Sequence, residues 1–372
     1  MTHAPLLNSC TRIAGTPEQH VLLQQHCQEI KEWHPLLSAA EQEGMSPLLK
    51  RHLDAAGVDY PVSIRRSLSL LVRRHQHLAT IRTTILEEVI QLLAEAGIQP
   101  LILKGAALAY TLYPDPALRP MRDIDLLFRK EDAHQAQRLL IANRFVEVKQ
   151  PMPDNHFHLL PLFRQVEDSK ICIEVHQALY PDLPPNYPAI DFNHLLHNGR
   201  KFRIGDSQAL TFNLEETLHY LFQHAFRAPL TYESFKLINV TDIVVFLDHY
   251  YRMLDWQKMK EDFPIVVNAL PLIHTFTPLQ KEVLTHCNIS EQCSYRNTGK
   301  PFSGWPRQRL EKKIGFRTLQ ETFWPSEWWC RLYYGIGNSK ELWKCRCYGH
   351  PKHIFWWIRF LYSIKKQQDL RD

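Results

Sequence analysis

The chain has 372 residues, of which 45% are hydrophobic and 22% are charged, and its net charge is +5, as in many globular proteins with a sizeable core. No stretch reaches the ~20 apolar residues that a membrane-spanning helix needs, and MTHAPLLNSCTRIAGTPEQH at the start lacks the features of a secretion signal. We therefore expect a cytoplasmic protein whose eight scattered cysteines are reduced.

The first part of the chain is predicted to be helical. Residues 18–56 are typical of two or three short helices, and residues 63–96 of one long amphipathic helix with apolar residues three and four apart. Gly97 is expected to end this helix, as glycine commonly does at a helix C-terminus.

The next part is predicted to contain strands. IQPLILK follows Gly97 directly, residues 123–128 form a second strand, and KEDAHQAQRLLIANR forms a helix that leads into a short strand at 145–148. HFHLL at 156–160 and ICIEVH at 171–176 are predicted to be a further pair of strands. From residue 190 onward the pattern is expected to be helical.

The end of the chain differs in composition. Residues 300–372 contain fifteen Lys and Arg against six Asp and Glu, and seven of the nine tryptophans. The Gly, Pro and Ser residues of NTGKPFSGWPRQ indicate a boundary near residue 300. Four regions follow: an N-terminal helical region (1–96), an α/β core (97–180), a helical domain (181–298) and a basic, Trp-rich C-terminal region (299–372).

Two carboxylates are the strongest candidates for chemistry. Asp123 and Asp125 in RDIDLLF lie two residues apart on a predicted strand, so they share one face at ~6–7 Å from each other. Such a pair can hold one or two Mg²⁺ ions, which in turn recruit phosphates. A strand that merely begins with exposed aspartates would show the same pattern.

A small-residue turn precedes these carboxylates. Gly105 and Ala106 follow the first strand and open a predicted helix, whose first N–H groups favour anions such as phosphate. Lys104, directly before the turn, could contact a phosphate or extend into solvent, and the sequence leaves both interpretations open.

These segments together resemble a known signature. LKGAAL, the loop Tyr-Pro-Asp-Pro-Ala-Leu-Arg-Pro and RDIDLLF resemble a bacterial family of uncharacterised nucleotidyltransferases, within the superfamily that includes DNA polymerase beta and kanamycin nucleotidyltransferase. The match is close over residues 85–180 and looser over about 20–270. The resemblance implies an α+β fold, with a small mixed-sheet nucleotidyltransferase core flanked by N-terminal and C-terminal helical regions.

The resemblance also implies a set of site residues. The third carboxylate of the signature would be Glu174 in ICIEVH, where relatives often have Asp. Lys104, Gly105, Ala106 and Arg119 would contact the nucleotide. Relatives often have Ser at the position of Ala106. Alanine has no hydroxyl group, so any phosphate contact here must come from backbone N–H groups.

Four residues are weaker candidates. Arg119 and Arg122 could bind phosphate through their planar guanidinium groups, or could pin the loop and pair with nearby acids. Asp242 lies on a predicted helix where the family also has an Asp, and it could buttress the site or be a surface residue. His176 shares a predicted strand face with Glu174, although a lone histidine at a strand end is more often structural.

The implied function is enzymatic. Mg²⁺, or Mn²⁺ in its place, would lie at Asp123, Asp125 and Glu174 together with a nucleoside triphosphate. The nucleoside monophosphate would pass to an acceptor and pyrophosphate would leave; a small molecule or a protein is favoured over a nucleic acid as acceptor. The alternative is a non-catalytic nucleotide-binding or regulatory module. Walker A, GxGxxG and GxSxG sequences do not occur, which argues against P-loop NTPases, Rossmann enzymes and α/β-hydrolases.

Nucleic-acid binding by basic and aromatic residues is one interpretation of the C-terminal region, and its last helix allows two more. IFWWIRFLYSIKK is predicted to form a helix with Trp356, Trp357, Phe360, Leu361 and Ile364 on one face. This face is expected to pack on the body of the protein, and the alternative is peripheral contact with an anionic membrane. Cys345, Cys347, His350 and His353 lie too close together in sequence for the common zinc modules, so their clustering is interpreted as incidental.

Overall fold

The structure is a computed structural model that describes residues 4–149, 152, 156–179, 191–226, 236–287, 316–334 and 336–369. Over these residues it is an α+β protein with one five-stranded mixed sheet, one two-stranded sheet and many helices, which confirms the predicted fold class. The predicted boundaries near residues 180 and 300 lie outside the described residues, so the division into four regions stays a prediction.

Five helices precede the sheet. The long helix α5 has almost the predicted bounds, and Gly97 beyond its end has the positive φ of 71° that glycine accommodates without strain. Thr16 and Gln19 form a capping box that fixes the start of α2. The five helices are α1 (Ala4–Asn8), α2 (Pro17–Gln28), α3 (Trp33–Gln42), α4 (Ser46–Ala55) and α5 (Val62–Glu95).

The main sheet has the order β1-β2-β5-β4-β3. Its central strands β2 and β5 run parallel, and the other neighbours are antiparallel. The strands are β1 (Leu101–Ile102), β2 (Asp123–Leu127), β3 (Val146–Glu147), β4 (Leu162–Val166) and β5 (Ser169–His176). Helix α6 (Lys104–Thr111) and a 3₁₀ turn (Pro116–Leu118) connect β1 to β2, and α7 (Lys130–Ala142) follows β2.

The prediction of a strand at 156–160 is wrong in most of its extent. Within that segment only His158 makes a β-bridge, to His176, and the strand that pairs with β5 is β4. The reason is the tight turn between Val166 and Ser169, which pairs these two residues and thereby fixes the register of the whole hairpin.

The prediction of purely helical structure after residue 190 is also wrong. After α8 (Phe192–His197), β6 (Arg200–Ile204) and β7 (Ser207–Thr211) form an antiparallel hairpin. Gly205, with a φ of 52°, and Asp206 make its two-residue turn. The alternation of polar and apolar residues in RKFRIGDSQALT was the available signal.

The remaining described elements are helical. They are α9 (Leu214–Ala225), α10 (Leu237–Tyr250), α11 (Trp256–Asp262), α12 (Pro264–Phe276), α13 (Lys281–His286), α14 (Phe316–Phe323), α15 (Glu327–Tyr334), α16 (Ser339–Lys344) and α17 (His350–Asp369), with a π-helical turn at Cys345–Gly349. Within the described residues, no helix combines the length and apolar character that crossing a bilayer requires.

Two large hydrophobic clusters organise these elements. One lies on the main sheet, where Ile85 and Val89 of α5 and Leu140 of α7 pack against Ile124 and Leu126 of β2. The other is helical and contains buried residues of the first four helices, of α9 to α13 and of the C-terminal helices. Helices from both ends of the chain therefore contribute to one core.

The C-terminal helices are tied together by buried polar contacts. The Tyr334 hydroxyl lies 2.9 Å from Nδ1 of both His350 and His353, and Nε2 of His350 lies 2.6 Å from the Thr322 carbonyl oxygen. Cys347 is exposed. Within the described residues, these cysteines and histidines do not form a group of potential metal ligands.

Removal of residues 350–372 is expected to lower the melting temperature by on the order of 5 °C, because the buried Tyr334 hydroxyl would lose both histidines. Differential scanning calorimetry checks this, with a chain that ends at residue 369 as the control. An unchanged melting temperature in the shorter chain would show that α17 is not part of the folded body.

Candidate active site

The parallel pairing of β2 with β5 brings two carboxylates side by side. Asp125 lies opposite Glu174 in the register of the two strands, and Asp123 lies opposite Cys172. Since side chains alternate along a strand, Asp123, Asp125 and Glu174 lie on the same face of the sheet. All three line one pocket, whose volume is about 380 Å³.

Asp125 is almost fully buried, at 3% exposure, and it contacts Lys104 and His176. Its Oδ1 lies 3.0 Å from Nζ of Lys104 and 2.8 Å from Nε2 of His176. Burial alone would raise the pKa of Asp125, but Lys104 and then His176 hold that pKa well below its usual value. The carboxylate is therefore ionised at neutral pH.

His176 is the last residue of β5 and is completely buried. Its Nε2 is also 3.5 Å from Oε2 of Glu174. Burial lowers the pKa of His176, and the contacts with Asp125 and Glu174 more than offset this and raise it. Its Nδ1 has no hydrogen-bond partner among the described residues, so the shared proton belongs on Nε2.

Lys104 points inward. Its ammonium contacts Asp125 and its side chain is only 10% exposed, so the solvent interpretation of this residue is wrong. Lys104 begins α6 with a φ of 44°, and Leu103 before it provides no side-chain cap. Gly105 and Ala106 follow in the first turn, where backbone N–H groups have no partner within the helix.

Arg119 forms a buried ion pair. Its Nε donates to Oδ1 and Oδ2 of Asp242 at 2.8 and 3.0 Å, and its Nη2 donates to Oδ2 at 2.6 Å. The Tyr113 hydroxyl also donates to Asp242, at 2.9 Å. Burial lowers the pKa of Arg119, but the Asp242 carboxylate reverses this and raises it. Asp242 therefore supports this loop, as one of the two interpretations of its sequence position expected. Arg119 holds the loop in place and also lines the pocket.

The guanidinium of Arg119 rests against Gly105. A Cβ atom at Gly105 would lie 2.9 Å from Nη1 and 3.1 Å from Cζ of Arg119. The strained backbone is at Lys104, whose φ is positive, rather than at Gly105. Gly105 is therefore required by the close approach of Arg119.

The rest of the pocket contains basic residues that sequence reasoning missed. Arg74 and Arg82 lie two turns apart on α5, and Lys236 precedes α10. Arg74 and His75 bind Glu41, and Nη2 of Arg82 donates to the Met121 carbonyl oxygen at 2.7 Å. For Arg74 and Arg82, the available signal in the sequence was that basic residues interrupt the apolar pattern of α5. Six Lys and Arg and four Asp and Glu line the pocket: Arg74, Arg82, Lys104, Arg119, Arg122, Lys236, Glu41, Asp123, Asp125 and Glu174.

The donor atoms here suit a divalent cation. One ligand atom each of Asp125, Glu174 and His176 lies within 4.8 Å of the others, the one group of this kind among the described residues. Carboxylate oxygens are the ligands that Mg²⁺ and Mn²⁺ prefer. A cation on Nε2 of His176 would move its proton to Nδ1, which has no acceptor among the described residues, so His176 fits better as a donor to Asp125 than as a ligand.

The sequence matches a known protein family over more than half of its length. A family model described as "Uncharacterised nucleotidyltransferase" matches residues 29–263, which is more than half of the chain. The chain belongs to this family, and it is thereby an enzyme of the nucleotidyltransferase class. The resemblance predicted from the sequence motifs is confirmed.

A solved structure is also similar over part of the chain. It is the solution structure of the antibiotic-resistance factor ANT(2'')-Ia, with 16% sequence identity over 45% of this chain and 84% of that chain. The TM-score is 0.29, too low to carry an argument. Among curated proteins, none matches the chain.

Gly105→Ala is expected to destabilise the protein by about 1–3 kcal/mol, because the new methyl group would overlap a guanidinium that Asp242 holds in place. Chemical denaturation measures the change. Gly337→Ala is the matched control, since a Cβ there would meet only Oε2 of Glu341, at an ordinary 3.7 Å. Equal stability of the two variants would mean that Arg119 can move away at little cost.

Proposed function

We propose that this pocket binds a nucleoside triphosphate with Mg²⁺, or Mn²⁺, and transfers the nucleoside monophosphate to an acceptor, with release of pyrophosphate. The observation that carries the proposal is the facing pair of Asp125 and Glu174 on adjacent parallel strands, in one pocket with Asp123 and the start of α6. Family membership supports nucleotidyl transfer in general.

Asp123, Asp125 and Glu174 would hold the cation. When bound, a divalent cation neutralises phosphate charge and lowers the pKa of an attacking hydroxyl. Carboxylates of this kind need support, and His176 provides it, because its Nε2–H donates to Oδ1 of Asp125 and fixes the orientation of that carboxylate.

The phosphates would lie at the start of α6. The backbone N–H groups of Gly105 and Ala106 are in its first turn, where the helix dipole also favours anions. Lys104 extends from the same turn, so its ammonium can move from Asp125 to a phosphate oxygen by side-chain rotation alone. Arg119 retains N–H groups beyond those that bind Asp242 and Pro120, and its guanidinium lines the pocket.

The acceptor is proposed to be a small molecule or a protein side chain. A pocket of about 380 Å³ has the size of an ordinary small-molecule site. Incubation with nucleoside triphosphates labelled at the α-phosphate, together with cell extract, would identify a labelled acceptor. Binding without any transfer of label would favour the alternative, a nucleotide-binding or regulatory module of the same fold.

Replacement of Asp123 and Asp125 together by Ala is expected to abolish Mg²⁺-dependent nucleotide binding, because the oxygen ligands for the cation are lost. Isothermal titration calorimetry with MgATP and MgCTP measures this. The control is Asp59→Ala with Asp206→Ala, which removes two carboxylates whose side chains are fully exposed. The proposal fails if the active-site variant binds Mg²⁺-nucleotide as tightly as the wild type does.

His176→Leu is expected to weaken Mg²⁺-dependent binding by about 10- to 100-fold, because Asp125 would lose its orienting donor. His176→Gln, whose amide can place an N–H near the position of Nε2, should recover part of the loss. The same calorimetric titrations test both variants. A purely structural role of His176 would give equal losses of thermal stability and no difference in binding between them.

A further inference from the structure

We propose that the outward face of α17 is a docking surface for the anionic surface of a lipid bilayer. Five residues form this outward face: Lys352, Phe355, Ile358, Arg359 and Tyr362. The proposal does not depend on the chemistry of the active site.

The outward face combines the spacing of a helix face with high exposure. Phe355, Ile358 and Tyr362 follow each other at three and four residues, which places them on one side of the helix. Their exposed fractions are 61%, 56% and 70%. Three large apolar side chains in one row, exposed to this extent, are unusual on a protein surface that contacts only water.

The opposite side of the same helix already packs on the protein. His353 is buried and contacts Tyr334, and the ring of Trp356 is stacked on His156 with an interplanar angle of 8°. Folding therefore employs one side of α17 and leaves the outward face without a role in the core.

Neighbouring C-terminal elements also expose aromatic rings. Trp343 is 64% exposed, Tyr348 is 50% exposed and Trp324 is 44% exposed. The rings of Trp324 and Trp343 lie 6.2 Å apart. Tryptophan and tyrosine favour the headgroup layer of a bilayer, where one end of the ring is apolar and the other is hydrated.

The charged residues around these rings indicate that the partner surface is negatively charged. Lys352 lies over the ring of Tyr348 at 4.1 Å, and Arg346 lies over that of Trp324 at 5.5 Å. Residues 316–369 contain nine Lys and Arg against four Asp and Glu. Basic residues beside interfacial aromatic residues match an anionic headgroup layer. No described helix is long and apolar enough to span a bilayer, so the contact would be peripheral.

The test uses the full-length protein and flotation with two kinds of vesicle, one of phosphatidylcholine alone and one containing roughly one-third phosphatidylglycerol. We expect binding to the anionic vesicles only, and a decrease of at least about tenfold when NaCl is raised from about 0.05 to about 0.5 M, because salt screens the attraction. Equal binding to both vesicles, or no binding to either, would overturn the proposal.

Variants locate the contact. Phe355→Gln with Ile358→Gln and Tyr362→Gln should weaken vesicle binding at least about tenfold without a change in melting temperature, because these side chains are exposed in the folded protein. Lys352→Glu and Arg359→Glu should each weaken it about fivefold. The matched control is Val21→Gln with Leu22→Gln, two residues on α2 that are 50% and 48% exposed, and it should bind like the wild type.

Two results would contradict this assignment. One is undiminished vesicle binding by the triple variant, which would place the contact elsewhere. The other is a full-length dimer in analytical ultracentrifugation that the triple variant abolishes, without vesicle binding by either protein. That result would show that the outward face binds a second copy of this chain.

Discussion

The arrangement of the site depends on the buried ion pair between Arg119 and Asp242, residues that lie far apart in the chain. A buried ion pair contributes little net stability, because the desolvation of both charges offsets most of their attraction. The loss of one partner is nevertheless strongly destabilising, because it leaves a buried charge uncompensated. The pair therefore acts mainly as a geometric constraint. It fixes the segment before β2 from the side of α10, while Arg82 of α5 holds the Met121 carbonyl oxygen from the other side. Asp123 follows directly and begins β2 in a fixed position.

A second constraint is electrostatic. The strand pairing that places the buried Asp125 beside the half-buried Glu174 also brings two negative charges together, where they repel each other and have lost part of their hydration. The protein compensates with Lys104 and His176, both of which contact Asp125. The two compensating groups on Asp125 differ in position. His176 is completely buried in β5, whereas Lys104 lines the pocket and its side chain is 10% exposed.

The features that the sequence predicted are those with a local pattern. The long helix α5, the strands β2 and β5, and the shared face of Asp123 and Asp125 all follow from periodicity within a few residues. The contacts of Lys104 and Arg119 could not be predicted, because no local pattern states which of several nearby acids a basic side chain will reach. A lone histidine near a strand end is more often structural, and only the pairing of β5 with β2 shows that the ring of His176 meets Asp125. The hairpin at residues 200–211 had its alternating pattern and its Gly205 turn, and the surrounding helical pattern obscured both.

The last helix shows how one sequence pattern can serve two interfaces. Its aromatic residues are too numerous for a single face, so the protein packs one side of α17 inward and leaves the other exposed. The inward side reaches the site, because Trp356 is stacked on His156, and Nε2 of His156 lies 3.0 Å from Nε2 of His158 in the pocket wall. Burial lowers the pKa of His156 to about 3, so its ring is neutral and packs without a charge to hydrate. A short chain of stacked and hydrogen-bonded rings therefore connects α17 to the pocket, and it ends 3.8 Å from Glu174.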